Sequence, residues 1–519
     1  MKESFFRARM CSKFIIFPIL SELYSPGLQA ACVNISITSG TQTITDPSID
    51  NSGCSDASGI GYSAATGGIL IINNNSPDNV NYTNTGGTGT YAAQAMDGGS
   101  ITINGGGIFS LISGYGDIVF YSTGNGATLT ATNSTLTIAG DYAIGLQADS
   151  GGTIIGNNLT VNVSSSSATD FSKGAYASGA SSTIELIGGS VQMDVQSTGY
   201  GLYADSNGTI TTTNVAINVA TATTSGALFG AYADGATIHL LDGSSVQVSG
   251  GDRSHGLDAL NLGEVLANNL IVKATSSNVA FGIYTYDGTI NLQGGSIQAN
   301  GTNYADGLNA QGGGTITANN VTVTANGSTS YGATVSETDS MLSLTNSSIT
   351  VLGEFASGLA ADIGGTLVGN NITVNSTGLG AAVTNGSSLS LTGSTITANG
   401  GSALVTTGGQ VGNANTIIVH GGSLNSPTAD LIKANTAVSN ITLNTVTTGA
   451  SGSNNLLSIN NSTINFIAEQ NSNLGCAPVY GESFKEMQLP LFLQRQDLSP
   501  LLLILVAIGL KLLAGLLLT

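Results

Sequence analysis

Apolar residues alternate with polar ones in short runs that recur along most of the chain. The clearest run, GLNAQGGGTITANNVTVTANG, spans residues 307–327. Within it, Ile316, Ala318, Val321 and Val323 lie between threonines and other small polar residues, which is the pattern of strands with one buried face. Glycine and asparagine separate the apolar runs and mark turns. The stretch therefore predicts three short strands joined by tight turns.

The same run returns at a regular interval, which marks the chain as a repeat array. An aliphatic residue follows the glycine turn of each copy, and twelve steps cover 310 residues, a mean period of about 26. Such regularity indicates a solenoid in which successive coils share one core. We call these aliphatic residues the anchors: Ile101, Leu129, Ile154, Ile184, Ile210, Ile238, Val265, Ile290, Ile316, Leu342, Leu367, Leu389 and Val411.

The segment after each anchor alternates between two sequence variants, which we call the two spellings. This alternation predicts a repeating unit of two coils. One spelling carries Ser or Thr before the next aliphatic residue, and the other carries Asn. We expect the asparagine side chains to form a partial ladder inside the solenoid, where their amides satisfy turn carbonyls. The asparagines of the expected ladder are Asn158, Asn269, Asn320 and Asn371, and Asn214 occupies the same position in one further coil.

Together these patterns predict an all-β fold, a single parallel β-helix of about 15 three-stranded coils. Residues 32–99 are less regular and are expected to form an N-terminal β cap with the first coils. Residues 100–470 carry the array with little interruption.

Composition narrows the function classes. The chain has 519 residues, of which only 8 % are charged and 41 % are hydrophobic, and its net charge is −19. The ordered hydrophobic pattern argues against disorder. The acidic balance gives no reason to expect a nucleic-acid partner, because that needs a basic surface.

The N-terminus predicts export. Residues 1–31 combine a basic start, a short apolar core and small residues near the end, as in a signal peptide. Cys32 and Cys54 would then remain close together in an oxidising compartment, where a disulfide would close a 23-residue loop. Such a bridge contributes about 3 kcal/mol. Two free, buried thiols are the alternative.

The tail differs in character from the array. Residues 471–519 share nothing with the repeats, and the break is sharpest at Cys476. Within this tail, residues 501–518 form an apolar segment at the lower length limit for a membrane-spanning helix. The tail is either a C-terminal anchor or an unrelated sequence added where the reading frame was lost, and we favour the second interpretation.

A column of tyrosines is the candidate binding surface. Tyr176, Tyr203, Tyr232 and Tyr284 occupy the same position of successive strands, and Asp258 fills that position in one coil between them. We expect the rings to point outward and to stack from coil to coil, where they could hold a sugar or a peptide. The alternative is that they only cover the strand.

Candidate chemistry is sparse. The segment 251–258 (GDRSHGLD) is the one place where carboxylates, Arg253 and His255 meet, and we expect a solvated turn there rather than an acid–base cluster. We expect no catalytic residue, no metal site and no cofactor. Aspartates also recur after the tyrosine strand, where we expect them to cap turns: Asp149, Asp205, Asp234 and Asp362.

A recurring motif, Gly-Leu/Ala-x-Ala followed by a glycine turn and an anchor, occurs at residues 174–177, 201–204 and 230–233. Over roughly residues 32–470 the chain resembles the passenger domains of pertactin-like autotransporters, the type V secreted proteins of Gram-negative bacteria. The resemblance implies a right-handed parallel β-helix displayed at the cell surface. It also implies adhesion or another host interaction, a host glycan or protein as ligand, and a monomer.

The sequence departs from that family at its end. Autotransporters finish in a translocator β-barrel of alternating strands in the outer membrane. No such pattern follows Ile467, so we expect a truncated, barrel-less passenger that stays in the periplasm. Two other functions remain open: a structural spacer or nonfunctional remnant, and, less favoured, a β-helix polysaccharide lyase or hydrolase.

Overall fold

The computed structural model describes residues 34–52, 59–85, 88–167, 169, 171–450, 455–468 and 479–481. The predicted signal segment 1–31, Cys32, Cys54 and the apolar segment 501–518 lie outside the described residues. The disulfide and the origin of the tail therefore stay predictions. Within the described ranges, no helix is long and apolar enough to cross a bilayer.

The described chain winds into an all-β parallel β-helix of about 16 turns, which confirms the predicted fold class. Each strand pairs in parallel with the equivalent strand of the coils before and after it, as Tyr203 does with Tyr176 and Tyr232. Each regular coil has three strands, which build three long faces. The handedness of the helix stays a prediction from the family resemblance.

Face 1 contains the Gly-Leu/Ala-x-Ala strands. Its strands are Ile35–Ile37, Ile60–Ala65, Tyr91–Met96, Ile118–Thr123, Ile144–Asp149, Phe171–Ser178, Thr198–Asp205, Ala227–Asp234, Arg253–Leu260, Val279–Tyr286, Tyr304–Gln311, Thr329–Ser336, Phe355–Asp362, Leu379–Thr384, Leu404–Gly408, Leu457–Asn460 and Val479–Gly481.

Face 2 contains the anchors. Its separate strands are Thr41–Thr45, Ile69–Asn73, Ser100–Asn104, Thr128–Thr132, Thr209–Thr213, Thr237–Leu241, Thr315–Asn319, Met341–Thr345, Thr366–Asn370, Ser388–Thr392, Asn415–His420 and Thr463–Ala468. A further strand, Ile432–Asn444, runs from face 1 into face 2 without a break.

Face 3 closes each coil. Its separate strands are Ile49–Ser52, Val80–Thr85, Gly107–Tyr115, Ser134–Asp141, Ala216–Ala220, Ser245–Ser249, Thr322–Asn326, Ser348–Leu352, Thr373–Ser376, Thr395–Ala398, Ser423–Ser426 and Thr447–Ala450. Four longer strands turn the corner from face 2 to face 3: Thr153–Ser164, Thr183–Asp194, Glu264–Ser276 and Thr289–Gly301.

The anchors form one column along the core of face 2. Ile154 pairs with Ile184, and Val265 pairs with Ile290. The first twelve anchors continue this register, and each is at most 1 % exposed. Since burying a Leu or Ile side chain contributes about 1.5–3 kcal/mol, this column is a main source of stability.

The prediction that Val411 is the thirteenth anchor is wrong. Its side chain is 92 % exposed, and Leu389 pairs instead with Ile417 in the next coil. Gln410 and Asn413 form a short antiparallel bridge at this point, so the turn makes an excursion away from the coil. The glycine-rich turn before Val411 imitates the start of a strand, and the extra residues displace the true anchor.

The prediction that the asparagines form a ladder inside the solenoid is also wrong. The five asparagines lie at the corner between faces 2 and 3, and their side chains are exposed. Each has a left-handed backbone, with φ between 48° at Asn269 and 56° at Asn320, which asparagine tolerates better than most residues. This conformation turns the chain sharply, and the side chain points outward. The Asn371 amide Nδ2 donates to Asn346 Oδ1 at 2.8 Å.

Candidate binding surface

The structure places the four predicted tyrosines in one column on the outside of face 1. Tyr176 pairs with Tyr203, and Tyr203 pairs with Tyr232. Asp258 then stands between Tyr232 and Tyr284. All four tyrosine side chains are partly exposed, so they cover the strands and still offer ring surface to a partner.

A second aromatic column runs beside the first, and the sequence analysis missed it. Its members lie three residues before those of the first column, immediately before the motif glycine. The recurrence of an aromatic residue at that position in the sequence could have revealed this column. Tyr200 pairs with Phe229, Phe229 with His255, and His255 with Phe281. Asp306 and Tyr331 continue this column in the next coils.

The motif glycine explains why both columns point outward. In the strand Thr198–Asp205, Gly201 and Leu202 are both buried, so the outward positions are Tyr200 and Tyr203. A Cβ atom on Gly201 would lie 2.4 Å from Ile217 Cγ2 and 2.6 Å from the carbonyl oxygen of Gly230. Glycine is therefore required at this point. Because Gly201 and Leu202 both face the core, Tyr200 and Tyr203 both face outward, and their rings come into contact.

The rings make an unbroken series of contacts along face 1. Ring centroids are 5.2 Å apart for Tyr176 and Tyr203, 5.0 Å for Tyr203 and Tyr200, and 4.8 Å for Tyr200 and Phe229. The series runs across seven coils, roughly 29 Å at the usual spacing between strands. We define the aromatic strip as Tyr176, Tyr200, Tyr203, Phe229, Tyr232, His255, Phe281, Tyr284, Tyr304 and Tyr331.

A row of aspartates borders the aromatic strip. The Tyr176 hydroxyl donates to Asp205 Oδ2 of the next coil at 2.9 Å, and Tyr121 makes the same contact with Asp149 at 2.8 Å. These two carboxylates accept phenol hydroxyls rather than capping turns as predicted. Asp362 does act within its turn, where its Oδ1 accepts the amide of Ile363 at 2.9 Å.

The tyrosine hydroxyls are protonated at neutral pH, because a phenol ordinarily titrates near pH 10, and burial moves their pKa further from neutrality. Loss of solvation raises the pKa of Tyr176 to about 12, and the hydrogen bond to Asp205 adds to that effect. Burial also raises the pKa of Tyr203 and of Tyr232, and neighbouring carboxylates contribute in the same direction. At neutral pH these side chains are therefore hydrogen-bond donors.

The segment around His255 is a strand and not the solvated turn that we expected. Residues Arg253–Leu260 pair with both neighbouring coils, and His255 is 9 % exposed while Asp258 is 2 % exposed. His255 Nδ1 lies 3.0 Å from the Asp258 carboxylate. Burial raises the pKa of Asp258, and the nearby imidazole partly offsets this.

The chemistry open to this pair is limited by its surroundings. The imidazole lies between the rings of Phe229 and Phe281, with centroid distances of 4.9 and 4.8 Å. Asp252 and Arg253, the other charged members of the segment, are exposed and 3.8 Å apart. The structure therefore brings His255 and Asp258 together beneath the rings and leaves the other two at the surface. Across the described residues, no three His, Cys, Asp or Glu side chains gather into a metal-binding group.

Asp306 is a second buried carboxyl, in register between Phe281 and Tyr331 of the strip. It is fully buried, its Oδ2 accepts the Asn309 amide at 2.8 Å and the Tyr304 hydroxyl at 3.2 Å, and its Oδ1 has no partner. Burial raises the pKa of Asp306 to about 8, although these hydrogen bonds oppose the shift. The carboxyl is therefore largely protonated at neutral pH.

A shallow, polar recess lies elsewhere, at the corner between faces 2 and 3. Asn320, Asn346 and Asn371 line it together with Ser347 and Ser348. Two of these asparagines already bond each other, and the recess contains no charged residue. The aromatic strip is therefore the stronger candidate site.

Fold and surface define a class: this is a parallel β-solenoid protein with an aromatic strip on one face. The chain matches no known family model, and it matches no curated protein. The resemblance to autotransporter passengers therefore rests on the sequence motifs and on a fold that is compatible with them.

Proposed function

We propose that the chain is an exported, autotransporter-type passenger that lacks its barrel, binds a partner through the aromatic strip and catalyses no reaction. The observation that carries the proposal is the unbroken aromatic strip on the outside of face 1. The compatible β-helix and the predicted signal segment support the same function.

The physical reason is that the strip is not needed for the core. The buried aliphatic columns already hold the coils together, and the tyrosines lie on the opposite side of the strand. Partly exposed tyrosines combine apolar area with a hydroxyl donor, and such residues are enriched where proteins bind partners.

The surroundings of the carboxylates favour binding over hydrolysis. A polysaccharide hydrolase needs two carboxyl groups that reach the scissile bond. Asp258 and Asp306 are both buried beneath rings, and Asp258 is already engaged by His255. Two carboxylates of the row beside the strip, Asp205 and Asp234, accept hydrogen bonds from Tyr176 and Asn261 respectively.

Binding of the purified full-length chain to immobilised glycans and extracellular-matrix proteins tests the proposal. We expect saturable binding that weakens about tenfold in Tyr203→Ala, since a central tyrosine of an interface typically carries 1–2 kcal/mol. Tyr115→Ala is the matched control, because Tyr115 is 55 % exposed and lies outside the strip.

Three other outcomes would contradict the proposal. Equal binding by the wild type and Tyr203→Ala would move the site elsewhere. Cleavage of a glycan would favour the polysaccharide lyase or hydrolase instead. An absence of any binding, with circular dichroism showing that both variants fold, would favour the spacer.

A further inference from the structure

The aromatic strip already holds one ammonium group from the chain itself. Lys173 Nζ lies 4.4 Å from the ring centroid of Tyr176 and 5.3 Å from that of Tyr203. At such distances the electron-rich faces of the rings attract a cation. One end of the strip therefore shows directly that its rings accept a cation.

A second basic side chain lies in the middle of the strip. The His255 ring is in contact with Phe229, Phe281 and Tyr284, and its Nδ1 is 3.0 Å from Asp258. Lys173 beside the strip and His255 within it thus both place a basic nitrogen group against aromatic rings. The same surroundings would favour a basic group brought by a partner.

The bordering carboxylates give the surface a negative field. Asp205 and Asp234 follow Tyr203 and Tyr232 by two residues, so they point to the same outer side, and both are partly exposed. Each carboxylate accepts one hydrogen bond from the chain, Asp205 from Tyr176 and Asp234 from Asn261, and it is their negative charge that acts on a partner. The whole chain adds to this field, because it carries 30 acidic against 11 basic residues.

We propose that the aromatic strip binds a cationic protein segment, whose Lys or Arg side chains contact the tyrosine rings and the Asp205–Asp234 carboxylates. This inference rests on the proposed function and names its ligand class. Charge separates this ligand class from a neutral sugar, because the aspartates beside the strip attract a cationic side chain and give a neutral sugar no such attraction.

The test uses a fluorescein-labelled peptide of ten lysines and the same peptide with every side-chain amine acetylated. Fluorescence anisotropy with the purified full-length chain should show that the lysine peptide binds and the acetylated peptide does not. In the double variant Asp205→Asn/Asp234→Asn, the dissociation constant should rise about tenfold, and Tyr203→Ala should weaken binding to a similar degree.

A matched double variant separates the strip from the general negative charge. Glu185→Gln/Glu264→Gln removes two exposed carboxylates from face 2 and should change the affinity less than twofold. Equal losses in the two double variants would overturn the proposal, because the peptide would then bind the overall field. Equal binding of the acetylated peptide would overturn it as well.

The outcomes also separate this inference from the proposed function. If glycans or matrix proteins bind in a manner that depends on Tyr203 while the lysine peptide does not, the surface binds another class of ligand and only the inference fails. If no probe binds in a manner that depends on Tyr203, both fail.

Discussion

Asp306 occupies a strip position that holds a ring in the coils on either side. Its Cα partners are Phe281 and Tyr331, and the carboxyl is enclosed by aromatic side chains. A charged carboxylate in such surroundings loses its hydration, and only part of that loss is recovered from Tyr304 and Asn309. The residue therefore favours the protonated form, and folding takes up a proton over a range of pH.

This linkage predicts that stability falls as the pH rises. The unfolded carboxyl titrates near pH 4 and the folded carboxyl near pH 8, so Asp306 should cost up to about 1.4 kcal/mol for each pH unit between them. Asp306→Asn should remove this pH dependence. Urea unfolding at pH 5 and pH 8 should show that the variant gains more free energy of unfolding over the wild type at pH 8 than at pH 5.

A second variant separates the proton from the hydrogen bonds at this position. Asp306→Ala also removes the carboxyl, but it leaves the Asn309 amide without its partner, so stability should fall while the slope still disappears. An unchanged slope in both variants would show that another group takes up the proton.

The two-coil repeat has a physical cause at the corner between faces 2 and 3. In one spelling, the chain turns at an asparagine and enters the core at once, as at Asn320 and Val321. In the next coil, the buried Ser347 follows the corner residue, and its Oγ accepts the Val321 amide at 3.1 Å and donates to the Thr345 carbonyl at 2.8 Å. The same bond joins Val215 to Ser244 and Ile372 to Ser394.

Removing this hydroxyl should weaken both coils. Ser347→Ala leaves the Val321 amide buried without a partner, which should lower the free energy of unfolding by about 1–3 kcal/mol. Urea unfolding checks the loss, and hydrogen exchange should accelerate at the Val321 amide. Ser348→Ala is the control, because that hydroxyl is partly exposed and makes only a 3.4 Å contact with Thr322. Equal losses in the two variants would mean that the corner bond does not join the coils.

At the scale of the whole molecule, each coil touches chiefly the coils before and after it. Ile290 is fully buried and pairs with Val265 on one side and Ile316 on the other. In such a stack, stability is a sum of coil and interface contributions, so damage in one coil should remain local.

Ile290→Ala tests this expectation. The cavity should cost about 2–5 kcal/mol, and the lost protection against hydrogen exchange should concentrate in the coils of Val265, Ile290 and Ile316. Asn291→Ala, on the outer side of the same strand, should leave protection unchanged. A uniform loss along the helix would show instead that the stack unfolds as a single unit.

The sequence predicted what depends on period and on burial. The anchors follow from a buried aliphatic at every coil, and the tyrosine column follows from register. The structure added what depends on local geometry. The corner asparagines point outward because of their left-handed backbone, and His255 is buried because neighbouring rings cover it. The asparagines recur with the repeat, but recurrence does not tell which way their side chains point. His255 occurs once, so no period marks its burial, and the polar segment 251–258 was predicted to be a turn.

The excursion at Val411 shows that the helix can lengthen a corner without losing its register. Leu389 finds Ile417 in the next coil although additional residues intervene, and the chain then continues in parallel through Ile441. An added segment at this corner would project from the shaft and leave the stacked core intact. The corner is thus a natural place to graft an epitope or a reporter tag.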